Sequence, residues 1–403
     1  MRQELAAAVL AAALAALPAR ADLAELPARA DLAERARTLV GAGQGVYVEA
    51  ADGTVLVAQA ASLAVHPASV SKVPTSLALL RKLGPAHRFE TRFVSRGAVE
   101  GGALRGDLRV EADGDPFFVD ENALVVALEL RKLGVRSVAG GFALRGPLLF
   151  NWQEERAALR LRRALEGKVP PAAWSAVRSA RREAGATPPA LAFVTGTKPA
   201  GGPDRTLLTH RSEPLVPLLK ALNGYSNNVF GWLAGAAGGI AAVEAEARAS
   251  VPAAYRDEIT LGDGAGTNPR NRLSPRAAVA LLRALEREAA ASGASLADLL
   301  PVAGVDPGTL RRRLDGPGER GRVAAKTGTY GDYGACALAG ALRTRSRGVV
   351  YFAILNHRVP IEDARRRQDA FVRALLASLD TEPWSYVPDE APAFTRATVT
   401  RGD

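Results

Sequence analysis

At 403 residues the chain is too long for a minimal domain and long enough to bury one large core and a smaller one. Hydrophobic residues at 48% and charged residues at 23% exclude a wholly disordered chain. The formal charge of +10 favours anionic partners, yet aromatics are only 5%, and no basic stripe is interleaved with them, so nucleic-acid binding is not expected.

Seven lysines leave 45 of the 52 basic residues as arginine, so each lysine carries information. Cys336 is the only cysteine, which excludes an intrachain disulfide and a cysteine-built metal site. The four histidines (His66, His87, His210 and His357) show no metal-ligand spacing and read as ordinary surface or core residues.

In chain order, Leu5 to Leu17 is an Ala/Leu run too short to span a bilayer, followed by the small-x-small site Ala19-Arg20-Ala21. Residues 17–25 recur directly as 26–34, duplicating that site. Residues 1–30 are therefore read as a signal peptide or export segment, with an uncleaved anchor or an Ala-rich amphipathic helix as alternatives. Asp31 to Val40 has helical periodicity. Val46–Ala50 and Thr54–Ala58 flank Asp52-Gly53, a hairpin signal.

Pro67-Ala68-Ser69 then opens an apolar stretch to Leu83, ending at Gly84-Pro85, which predicts a helix with Ser69 near its N-terminus. From about Arg88 to Thr206 the texture shifts to short strand-like runs (Phe89–Ser95, Gly106–Ala112, Val138–Leu144) and an Arg-rich solvated segment over 154–182. Helical patterns resume at Pro214–Gly238 and Ser274–Ser292. Strands follow at Val323–Thr327, Ala335–Leu342 and Gly348–Asn356, then a helix at Asp363–Leu379. A hairpin at one end and three strands at the other predict an α/β (α+β) fold, with one antiparallel sheet closed by both termini and flanked by helices. The domains expected are 31–87 with 206–403, and a smaller inserted domain at 88–205.

Three motifs fall in order: Ser69-Val-Ser-Lys72, Ser226-Asn-Asn228 and Lys326-Thr327-Gly328 followed by Thr329. Taken singly, Ser69 and Ser226 could be helix caps and Lys326-Thr-Gly a strand end turning through Gly328. Together they describe a nucleophile site. Residues three apart on a helix share a face, so Ser69 meets Lys72, and a lysine with a depressed pKa can take a serine proton where arginine cannot. Lys326 would supply positive charge that keeps Lys72 neutral and holds a substrate carboxylate. Ser226 would relay a proton between Lys72 and a leaving amine, and Asn228 would hold Lys72 and a substrate carbonyl. A peptide pairing along the Lys326 strand would meet Thr327 and Thr329, with its carbonyl oxygen between the N–H groups of Ser69 and a residue near Thr329.

At these residues the chain resembles the low-molecular-mass class C penicillin-binding proteins, the D-Ala-D-Ala carboxypeptidase/endopeptidase family. The likeness extends to Pro67-Ala-Ser-Val-Ser-Lys72, Gly114-Asp-Pro116, Arg211-Ser-Glu-Pro-Leu215, Asp263-Gly-Ala-Gly266, Asn271-Arg-Leu-Ser-Pro275, Leu300-Pro-Val-Ala-Gly304 and Ala325-Lys-Thr-Gly-Thr329. It implies a transpeptidase-like domain with an insertion, and a cofactor-free exported serine peptidase, periplasmic or wall-associated. Its substrates would be peptidoglycan stem peptides, with Ser69 acylated by β-lactams. The basic charge adds the expectation of peripheral association with an anionic wall or membrane surface.

Three departures stand out. The stretch from Ser69 to Ser226 is shorter than in large members, no acidic residue for a substrate amine can be matched among 151–155, and Ala265 replaces the usual serine of Asp-Gly-Ser-Gly. A serine β-lactamase or esterase, or a non-catalytic wall-binding protein, on the same fold remains as an alternative.

Overall fold

The computed structural model describes residues 30–194, 202–331, 334–388 and 391–402. The expected export segment lies, but for residue 30, outside the described residues.

A six-stranded antiparallel sheet organises the molecule. Its order is Val323–Tyr330, Ala335–Thr344, Gly348–Asn356, Gly45–Ala50 and Val55–Gln59, and the short strand Thr381–Glu382 pairs with Ala335–Thr344. The hairpin and the three late strands thus meet in one sheet, joined by the Gly45–Ala50 and Gly348–Asn356 pairing. Alternating side chains serve both faces. On one face Tyr47, Ala337, Ala339 and Ala353 pack with Leu77, Leu219, Phe230, Leu282 and Leu285. The other face sets Val46, Val48, Leu338, Phe352 and Ile354 against Leu32, Ala36, Phe371 and Leu375, from the helical segment at 30–40 and the helix Ile361–Ser378. Helices therefore cover both faces.

The helix Lys72–Leu83 lies in the first of these cores, and every residue from Lys72 to Leu80 is buried. Helix Pro275–Ala290 beside it is capped by Ser274, whose hydroxyl accepts the Ala277 N–H at 3.1 Å. The single helix predicted at Pro214–Gly238 is instead two, Leu215–Gly224 and Phe230–Leu233. The break falls at Ser226, which takes a left-handed φ of 54°. Apolar periodicity continues through the break, which is why the pattern reads as one element.

A second, five-stranded sheet has the order Thr398–Arg401, Arg205–Arg211, Glu90–Ser95, Leu108–Ala112 and Phe142–Arg145. It extends past the boundary expected at 205, to Arg211, and the last strand of the chain returns to it, so the carboxyl end serves this sheet too. The run expected as one strand over Val138–Leu144 divides between two sheets. Ser137–Val138 joins a small four-stranded sheet, and Phe142–Arg145 pairs in parallel with Leu108–Ala112. This region also holds the buried helix Asp120–Lys132, which strand-like texture on either side obscured, and the Arg-rich segment forms helices Ala157–Leu165 and Pro171–Arg181.

Candidate active site

The three motifs converge on one cleft. Ser69 lies in a 3-10 turn, Ala68–Ser71, and the α-helix begins only at Lys72. Ala68, just before the serine, is held at φ 48°, an unfavourable conformation for a residue with a Cβ. Several contacts fix it there. Its N–H donates to His66 Nδ1 at 3.2 Å, which leaves Nε2 to donate to the Asn268 carbonyl at 3.1 Å. The His66 ring stacks on Tyr330 with centroids 4.1 Å apart. Gly328 lies so close beneath the turn that a Cβ there would come within 2.8 Å of the Pro67 carbonyl oxygen. His66, expected to be an ordinary residue, is part of the support of this turn; nothing in its spacing revealed that.

Lys72 is fully buried, and its Nζ lies 2.7 Å from Ser69 Oγ, 3.2 Å from Asn228 Oδ1 and 2.6 Å from the Ala265 carbonyl oxygen. The replacement of serine by Ala265 therefore leaves a main-chain acceptor for the lysine. Burial pushes the Lys72 ammonium down to about 7, against the pull of Asp263. Near neutral pH the free amine is then accessible to Lys72, as it is not to an ordinary lysine.

Asp263 is the anchor of the loop that carries Ala265. It accepts N–H groups from Gly266 at 2.7 Å and Asn268 at 3.0 Å, the Asn271 amide at 2.8 Å and the Thr267 hydroxyl. Burial opposes its ionisation, but hydrogen bonds from Thr267, Asn271 and Gly266 win and hold the carboxyl below its ordinary range.

Lys326 is also fully buried. Its Nζ donates to Ser226 Oγ at 2.9 Å and to the Thr327 carbonyl at 2.8 Å. Burial first, then repulsion by Lys72, hold it well below the ordinary lysine range. The sequence suggested that Lys326 keeps Lys72 neutral; desolvation is instead the main cause at Lys72. The Ser226 hydroxyl, expected to relay a proton between Lys72 and a leaving amine, accepts from Lys326 Nζ. Asn228 reaches Lys72 as expected.

The strand Val323–Tyr330 is an edge strand of the main sheet. Its first half is covered on the open side, where Ala325 N–H donates to the Pro301 carbonyl and the Val323 carbonyl accepts from Ala303. Main-chain groups alternate in direction along an antiparallel strand, so Thr327 and Thr329 present theirs to the same open side. The Thr327 hydroxyl meets that of Thr309 at 2.8 Å, and Thr329, exposed, accepts from the Arg365 guanidinium at 3.0 Å. Thr309 and Arg365 were not found from sequence because they lie outside the motifs.

Among the described residues no group of three or more His, Cys, Asp or Glu side chains could hold a metal ion. No helix among them is long and apolar enough to cross a membrane.

The fold and this arrangement define the penicillin-binding-protein class of architecture. The solved structure of a predatory endopeptidase from Bdellovibrio bacteriovorus, acylated by penicillin G and bound to an immunity protein, matches with a TM-score of 0.73 at 22% identity, covering 88% of this chain and 99% of that one. Penicillin-binding protein 4 from Haemophilus influenzae, complexed with a β-lactam, matches with a TM-score of 0.61 at 18% identity, covering 86% and 99%.

A sequence model of the D-Ala-D-Ala carboxypeptidase 3 (S13) family matches residues 28–145 and 182–378, and the chain belongs to that family. The D-alanyl-D-alanine carboxypeptidase DacB of Haemophilus influenzae is 34% identical over 77 residues, a stretch that spans 19% of this chain and 16% of that protein.

Proposed function

We propose that the chain is an exported serine peptidase that cleaves D-Ala-D-Ala-type bonds of peptidoglycan peptides through an acyl-enzyme on Ser69. Neutral Lys72 takes the Ser69 proton as Oγ attacks the scissile carbonyl carbon. The carbonyl oxygen becomes an oxyanion, held by the N–H groups of Ser69 and Thr329, an interaction worth several kcal/mol in comparable sites. As the carbon–nitrogen bond breaks, the proton passes to the leaving amine, with the Ser226 hydroxyl, held by Lys326, beside its path. Water then releases the acyl group. Thr327 and Thr329 line the edge along which the peptide pairs, and Asn228 orients Lys72 and a substrate carbonyl.

The observation that carries this reading is the contact between the depressed Lys72 amine and Ser69 Oγ. Family membership and the β-lactam complexes of the structural relatives support it, and extend it to acylation by β-lactams. The test is intact mass spectrometry after brief exposure to labelled penicillin. A stable adduct on the Ser69 peptide is expected; a protein that never carries the label on Ser69 and cleaves no acyl-D-Ala-D-Ala peptide would overturn the proposal.

A further inference from the structure

The open edge beside Ser69 has few charges of its own. The Nζ of Lys326 is committed to Ser226 and Thr327 beneath the surface. The guanidinium that reaches this edge from outside belongs to Arg365, an exposed residue in the first turns of the helix Ile361–Ser378. It donates to Thr329 Oγ1 at 3.0 Å, and its charge also acts on the thiol of Cys336, the residue paired with Thr329 across the sheet. The hydrogen bond to Thr329 thus holds its tip at the end of the motif. Of the carboxylates near it in sequence, Asp363 pairs with Arg366 and Asp369 with Arg313, and Glu362 makes no ion pair with it. Among the described residues no ion pair engages Arg365, so its charge is available to a ligand.

We propose that Arg365 binds the carboxylate on the carbon next to the scissile nitrogen of the substrate, alongside the hydroxyls of Thr327 and Thr329. This inference rests on the function proposed above and specifies what the leaving group must carry. A guanidinium presents paired N–H donors in the plane of a carboxylate, whereas a neutral amide or ester at that position offers no opposite charge and leaves the donors poorly matched. The group read is the same whether the leaving part is free D-alanine or a larger D-amino acid with an open carboxyl, so the requirement is for the charge rather than for the size of the leaving group. Thr309, which shares a hydrogen bond with Thr327, keeps that hydroxyl at the edge.

The experiment compares cleavage of an N-acyl-D-Ala-D-Ala peptide with cleavage of its C-terminal amide, for the native chain, Arg365→Ala and Arg365→Lys. The native chain is expected to favour the free acid by tenfold or more in kcat/KM. Arg365→Ala should lose most of that preference through the acid alone, with the amide unchanged within about twofold, and Arg365→Lys should recover part of it. Thermal unfolding of the variants checks that the exposed substitution leaves the fold intact. An unchanged acid-to-amide ratio in Arg365→Ala, or an equal loss on both substrates, overturns the assignment of Arg365 while leaving Ser69 chemistry standing. Absence of both cleavage and penicillin labelling in the native chain overturns the proposed function, and this inference with it.

Discussion

Gly266 and Ala68 are in direct main-chain contact: a Cβ at Gly266 would lie 1.9 Å from the Ala68 carbonyl oxygen and 2.9 Å from the Ser69 nitrogen. Gly266 also holds a left-handed φ of 85°. The loop anchored by Asp263 therefore buttresses the Ser69 turn from behind.

Gly266→Ala must displace either that loop or the turn, and the two together set the surroundings of Ser69 and Lys72. Penicillin acylation of Ser69 is expected to slow by a hundredfold or more, since misplacement by about 1 Å has effects of that order. Gly293→Ala, at an exposed glycine with the same φ sign and open space around it, serves as the control for backbone strain alone. Equal acylation rates in the two variants would refute the buttress.

In the proposed mechanism the pKa of Lys72 sets the pH dependence of acylation. With the amine titrating at about 7, the acylation rate should rise as pH increases through 7 and level off above it. Lys72→Met should remove this limb and cost roughly 10²–10⁴-fold in rate. A pH profile flat from 6 to about 8 in the native chain would show that Lys72 is not the base.

The same shift is a stability effect. An unfolded lysine keeps its proton up to its ordinary range, while buried Lys72 begins to release it near 7, so between these values the unfolded state holds more protons and stability rises with pH. Below 7 the full cost of burying the charge applies. Lys72→Met should accordingly be the more stable protein at pH 6, by on the order of a few kcal/mol less the lost hydrogen bonds, and the advantage should shrink toward pH 10. Denaturant unfolding at the two pH values measures it, and an advantage that grows with pH would reverse the assignment.

Asp115, in the Gly-Asp-Pro segment, is fully buried. It accepts the Phe117 N–H at 2.8 Å and lies 3.6 Å from His210 Nδ1. Burial pushes its carboxyl up to about 7 and the His210 imidazole down to about 3, so both groups prefer the neutral form inside. The raised acid contributes stability that is complete below about 4 and lost as pH rises through 7. Asp115→Asn keeps the acceptor and cannot ionise. It should match the native chain at pH 4 and exceed it at pH 8, on the order of a few kcal/mol, in unfolding titrations; an Asn variant that is weaker at pH 8 would mean the carboxylate is favoured in the fold.

Much of the site was legible in the chain. Ser69, Lys72, Ser226, Asn228 and Lys326 could be picked out because proton transfer demands particular side chains at particular spacings, and lysine is scarce here. The main sheet could be read because a hairpin signal and alternating or continuous apolar runs are local properties. Asp120–Lys132 was missed because short strands surround it, and the break at Ser226 because a single left-handed residue leaves apolar periodicity intact.

The sequence by itself singled out Ser69 and Lys72, since both lie within one turn of backbone and their proximity follows from local geometry. Tertiary structure alone decided that Ala265 offers its carbonyl to Lys72, that Lys326 is spent on Ser226, and that Arg365 reaches Thr329. These contacts join positions tens to hundreds of residues apart. Their chemistry depends on burial and on alignment between elements, which no short stretch of sequence encodes.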